Sequence, residues 1–102
     1  MTNMEELSDL MVELFESNIA ATPDKIEVTD RGREIINEIS DYAEQTRIFQ
    51  ENKSRGEIFN DATAPQVYGY MLNRIANAPT RLHMYSSTLL IMPFLKQKLQ
   101  EE

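Results

Sequence analysis

Cysteine and tryptophan are missing from the 102 residues, and histidine occurs once. Without cysteine there is neither a disulfide framework nor a thiolate metal site, which fits a cytosolic chain. Glycine is scarce: Gly32, Gly56 and Gly69 stand far apart, so no glycine-rich loop is on hand to cradle a phosphate. Basic residues are few, 10 Lys/Arg against 17 Asp/Glu. Nucleic-acid affinity rests on lysines and arginines that displace counterions, so a net charge of -7 argues against direct nucleic-acid binding. Long apolar runs are also lacking. The longest, Leu89 to Leu95, covers 7 residues, where a membrane span needs about 20. Met1-Thr2-Asn3-Met4-Glu5-Glu6 has the wrong charge for a secretory signal and no apolar stretch behind it. A cytoplasmic protein with one domain over residues 1–102 is expected.

What is present divides unevenly. Residues 1–64 hold 15 Asp/Glu and 6 Lys/Arg, a net of -9, whereas residues 65–102 hold 2 and 4, a net of +2. The last third is also the most apolar. Upstream of it, Met4, Leu7, Leu10, Met11, Leu14, Phe15 and Ile19 recur at helical steps behind Thr2 and Glu5, a capping-box pair, and predict an amphipathic helix that ends at Ala20 to Asp24. Ile26-Glu27-Val28-Thr29 alternates like a strand, but a lone strand has no partner, so the reading is a turn or first helical turn. A second helix follows from about Thr29, with Ile35, Ile36, Ile39, Tyr42, Ala43, Ile48 and Phe49 inward. Gly32 within it costs about 1 kcal/mol against alanine; a start after Gly32 is the alternative.

Asn52 to Gly56 is a polar break. Thr63, Pro65 and Gln66 then give a helix start, and Val67, Tyr68, Met71, Leu72 and Ile75 the inner face of a third helix from about Ala64 to Asn77. Asn77-Ala78-Pro79 interrupts it. Ser86 is the expected cap of a fourth helix running to Leu99, bent but not broken at Pro93. Helices of this length are marginal alone and must share a core. The expected fold is all-α, an antiparallel four-helix bundle.

The chemistry of catalysis is thin. His83 has no cysteine and no nearby acid in sequence, which favours an imidazole hydrogen-bonded at a helix junction over a ligand or catalyst. Ser86-Ser87 lacks the surroundings of a nucleophile. Glu5, Glu6, Asp9 and Glu13 fall on the polar side of the first helix and no Glu-x-x-His occurs, so a solvated face is preferred to a carboxylate metal site. No cofactor and no enzymatic activity are expected. The excess of Tyr68, Tyr70, Met71 and Leu72 over one helical face instead suits plain core or an adaptable surface for a partner. Two prolines flank Leu82-His83-Met84-Tyr85, read as a connector, so Arg74, Arg81, His83, Met84 and Tyr85 form the candidate partner-binding set, with specificity between Pro65 and Glu102.

The order Asn73-Arg74-Ile75-Ala76, then Leu82-His83-Met84, then an apolar helix closing on Leu95-Lys96-Gln97-Lys98-Leu99 resembles the C-terminal half of the immunity proteins for class IIa (pediocin-like) bacteriocins. Glu13-Leu14-Phe15 and Glu44-Gln45-Thr46-Arg47-Ile48-Phe49 are similar to other segments of that family, more loosely. The resemblance implies a cytosolic helical bundle that protects its cell. It also implies a partner, the bacteriocin-bound membrane components of the mannose phosphotransferase system, engaged from inside without an enzymatic step. Four basic residues in the C-terminal third would each add about 1 kcal/mol at an anionic leaflet, opposed by the acidic half, so only weak peripheral membrane association is expected. The rival reading is an acidic helical adaptor or inhibitor of another protein, a nucleic-acid mimic being one form of it.

Overall fold

A computed structural model describes residues 3–102, and these are mostly helical. Five α-helices occur among the described residues: α1 (Met4–Glu13), α2 (Asp30–Glu44), α3 (Arg47–Asn52), α4 (Ala64–Ala76) and α5 (Arg81–Glu101). Thr2, the expected first cap, lies outside the described residues. Asn3 caps α1 instead, its side-chain oxygen accepting from the Glu6 amide at 2.9 Å.

The first helix is shorter than its apolar spacing predicts. After Glu13 the chain widens into a π-helical turn, Leu14–Asn18, and then into a strand, β1 (Ile19–Ala21). Ile26–Val28 forms β2 and pairs antiparallel with β1, Ile19 opposite Val28 and Ala21 opposite Ile26. This corrects the expectation of an unpaired turn. The partner strand was hidden because Ile19 continues the helical apolar spacing, and a three-residue strand has too little alternation to reveal itself. Asn18 fixes the geometry. Its side-chain amide donates to the Glu13 carbonyl at 2.9 Å, closing the wide turn, while its side-chain and backbone oxygens accept from the Thr29 hydroxyl (2.6 Å) and amide (3.1 Å).

Thr29 then caps α2 through the Gly32 amide at 2.9 Å. Arg31 in the first turn of α2 donates to both Glu13 carboxylate oxygens, at 2.7 and 3.2 Å, tying the end of α1 to the start of α2. The bond to Arg31 holds the Glu13 carboxyl below its usual value. Whatever this pair adds to stability is therefore complete above the ordinary carboxylate range and is lost progressively as pH falls from that range through the lowered value.

The second expected helix is in fact two, because Thr46 interrupts it and caps α3 by accepting from the Phe49 amide at 3.3 Å. A run of 3-10 turns, Lys53–Phe59, leads on to α4. There the expected start is in place: Thr63 and Gln66 exchange reciprocal bonds, with Pro65 in the first turn. The last correction is the largest. Thr80, not Ser86, caps the final helix, accepting from the His83 amide at 3.2 Å, so α5 is a 21-residue helix and Leu82-His83-Met84-Tyr85 falls within its first two turns rather than in a connector. The true connector is only Asn77 to Thr80.

α5 is the spine of the molecule, packed along α4 on one side and α2 on the other. Asp41, late in α2, meets Lys96, late in α5, at 3.5 Å, so these two helices run in the same sense; Lys98 reaches back to the Asn60 carbonyl at 3.0 Å, so α4 runs opposite to α5. One cluster of buried side chains joins the elements, among them Leu7, Leu14, Ile35, Ile39, Val67, Met71, Met92 and Leu95, all fully enclosed. Each such side chain contributes about 1.5 to 3 kcal/mol over an exposed one. That burial explains why α5 continues through Pro93, itself buried, despite the lost backbone bond. Pro93→Ala is expected to leave far-UV circular dichroism unchanged and the protein folded; unfolding would show that the proline's shape is required in the core.

Two polar side chains are buried with that core, Ser40 and Thr88. Thr88 donates to the Met84 carbonyl at 2.9 Å, whereas the Ser40 hydroxyl has no hydrogen-bond partner among the described residues. An unmet buried hydroxyl in mid-helix costs free energy twice, through desolvation and through helix propensity. Ser40→Ala should raise stability by about 1 kcal/mol in urea unfolding with an unchanged slope. A loss of stability instead would mean that the hydroxyl is satisfied.

Candidate partner-binding cleft

The five residues singled out by sequence are exposed or half-buried near the α4–α5 corner, but they do not form one surface. Arg81, Met84 and Tyr85 lie on the face of α5 that meets α1. Arg74 and His83 face the other way, into a shallow hollow of about 350 Å³ with a mixed lining of Asn73, Asn77, Ala78, Pro79 and Ser87. The split follows from helix geometry. Residues 81, 84, 85 and 88 share one face at three and four residue steps, and residue 83 is turned away from it.

His83 sits in the capping turn. Its Nδ1 lies 2.5 Å from the Thr80 hydroxyl, which also accepts from the His83 amide. The imidazole thus has a structural partner of the kind expected at a helix junction. Among the described residues no group of three or more His, Asp or Glu is placed to hold a metal ion.

Arg81, Met84 and Tyr85 form one wall of a cleft of about 360 Å³. Ile75 of α4 and Thr88 of α5 extend that side. The opposite wall is α1 and the turn after it: Ser8, Met11, Val12, Phe15 and Glu16. Two contacts between segments distant in the chain hold the wall residues in place. The Tyr85 hydroxyl and the Ser8 hydroxyl share a 2.9 Å hydrogen bond, and the Phe15 ring lies 6.3 Å from that of Tyr68. The first anchors α1, and the second the turn after it, against the C-terminal third.

The lining is mainly apolar and remains open to solvent. Val12 is 50 % and Met84 37 % exposed, one on each wall. Isolated exposed apolar side chains are ordinary, but two facing each other across an apolar cleft are a surface on which a partner can bury area. Met84 is well suited to such a place, since its unbranched thioether can repack around different shapes.

The α1 wall was missed from sequence. Its signal was Val12, which falls outside the helical stripe of Leu7, Leu10, Met11 and Leu14 and so is an apolar residue without a core position. On α4, Tyr70 and Leu72 are each 39 % exposed while Tyr68 and Met71 are buried, so Leu72 departs from the expected inner face. Met4 of α1 does the same at 40 %. None of the described helices is long and apolar enough to cross a membrane. Comparison of the chain with protein-family models, curated proteins and solved structures gave no match.

Proposed function

We propose that the protein is a bacteriocin immunity protein, protecting its cell from a class IIa bacteriocin by engaging the toxin-bound membrane receptor from the cytosolic side. The order of residues in the C-terminal third motivates this. The observation that supports it best is the open apolar cleft, because protection without catalysis needs a surface for a partner, and three of the five candidate residues line one. The reading takes α1, α2, α4 and α5 as an antiparallel four-helix bundle, each helix opposed to the next, with the hairpin and α3 as insertions. The partner, by resemblance, is the membrane part of the mannose phosphotransferase system.

The reading is tested by expressing the chain in a sensitive strain and challenging it with a panel of class IIa bacteriocins. Survival against at least one member is expected. Sensitivity to all of them would transfer support to the acidic adaptor. One observation favours that second reading: Asp30, Glu34, Glu38 and Asp41 are exposed along one face of α2. Part of that stripe is already engaged, Glu34 with Arg31 at 3.4 Å and Asp41 with Lys96 at 3.5 Å, which weakens its case as a phosphate-backbone mimic.

A further inference from the structure

We infer, building on the receptor-binding reading above, that the cleft between α1 and α5 receives an amphipathic helix with lysine or arginine along the flank that meets α1. The cleft has the shape and lining for an apolar helix face: Met11, Val12 and Phe15 on one side, Ile75, Met84 and Tyr85 on the other. Recognition of this kind places apolar side chains at helical spacing into a groove and sets orientation by charge at its edges.

The edges of this groove differ in sign. On α1, Glu5, Asp9 and Val12 follow one another at four and three residue steps, so the two acids share an exposed face with Val12, and Glu16 of the π-helical turn joins Val12 in lining the cleft. None of these three acids is in an ion pair among the described residues, unlike Glu13, which Arg31 holds. The opposite rim carries Arg81, also without an ion pair there, and no acid. A basic flank is therefore attracted to the α1 side and repelled from the α5 side, which fixes how the helix lies. Cytosolic segments of membrane proteins are enriched in lysine and arginine, so the chemistry of the rim suits a cytosolic segment of a membrane receptor.

The groove also changes where specificity is located. Half of its wall comes from residues 8–16, so a partner is read jointly by α1 and by the start of α5, and not by residues 65–102 alone.

The test uses the full chain and a fluorescent 18-residue probe of leucine, lysine and glutamine, with a leucine face, a lysine flank and a glutamine flank. Anisotropy should show saturable binding that weakens with salt. Asp9→Lys combined with Glu16→Lys should weaken binding about tenfold or more, as should Val12→Asp, while Glu57→Lys combined with Glu102→Lys, the same change of net charge away from the cleft, should change it less than about twofold. A probe with glutamate in place of lysine should bind at least about tenfold more weakly. The inference is overturned if the remote pair weakens binding as much as the rim pair, since bulk charge would then suffice. It is equally overturned if Val12→Asp has no effect, if anionic vesicles are bound through the cleft while the peptide is not, or if sedimentation shows a dimer that Val12→Asp dissociates. Cell protection separates this result from the function. A chain that protects but binds no peptide overturns the groove alone; one that binds at the groove but protects against no bacteriocin overturns the immunity reading alone.

Discussion

Phe94→Ala is expected to lower stability by about 3 kcal/mol and to loosen the segment from Arg47 to Phe59 more than the rest of the chain. That segment holds no long helix of its own. It consists of the six-residue α3 and the 3-10 turns, both too short to persist without tertiary contacts. Phe94 supplies those contacts from α5. Its ring centroid is 5.6 Å from Phe49 and 5.4 Å from Phe59, and Phe59 meets Tyr70 edge to face at 5.3 Å. Gly56 closes the cluster, since a side chain there would run into the Phe94 ring. Such aromatic pairs add about 0.5 to 1.5 kcal/mol beyond their buried area. Removing the ring takes away the common neighbour of both halves of the segment at once. Urea unfolding gives the stability change, and amide exchange over residues 47–59 gives its location. A uniform rise in exchange across the protein would show that the segment is held by something other than Phe94.

Much of this architecture is legible in the residues because its signals are local. Thr63, Pro65 and Gln66 mark the start of α4 within four residues, and the apolar steps of α2 from Ile35 to Ala43 are buried as their period requires. The misreadings share a different cause. Ser86 and Thr80 are both competent caps, and Pro79 makes the earlier one effective by ending what precedes it; the choice depends on whether residues 81–85 have a surface to pack on, which α1 provides through Ser8. Ile19 fits a helix and a strand equally well until Val28 is opposite it. Arg81, Met84 and Tyr85 stay together because they share a face of α5, from which His83 is turned away, while Arg74 belongs to α4, where its neighbour Ile75 is the residue that lines the cleft. The α1 half of the cleft could not be read locally, since Val12 and Met84 are 72 positions apart in the chain. Only the Val12 anomaly pointed to it.

Gly32→Ala should destabilise the protein by about 2 kcal/mol, although alanine is the better helix former by about 1 kcal/mol at an ordinary helical position. The reason is the approach of the hairpin base to the first turn of α2. A methyl group on Gly32 would stand 2.5 Å from the Asn18 carbonyl oxygen and 2.8 Å from the Val28 Cγ1. The first of these neighbours is backbone and cannot swing aside. Asn18 is also held at both ends, by the Glu13 carbonyl and by Thr29, so relief requires moving the turn, the hairpin and the α2 cap together. Gly69 provides the comparison. It lies on the exposed side of α4, where an added methyl meets nothing within 4 Å among the described residues beyond its chain neighbours and its own helix backbone, so Gly69→Ala should stabilise by about 1 kcal/mol through propensity alone. The same substitution thus changes sign with its surroundings, a difference of about 3 kcal/mol between the two sites. Urea unfolding of the two single variants measures it directly. Were Gly32→Ala to stabilise the protein as Gly69→Ala does, the hairpin could not lie against α2 as closely as Asn18 and Thr29 draw it.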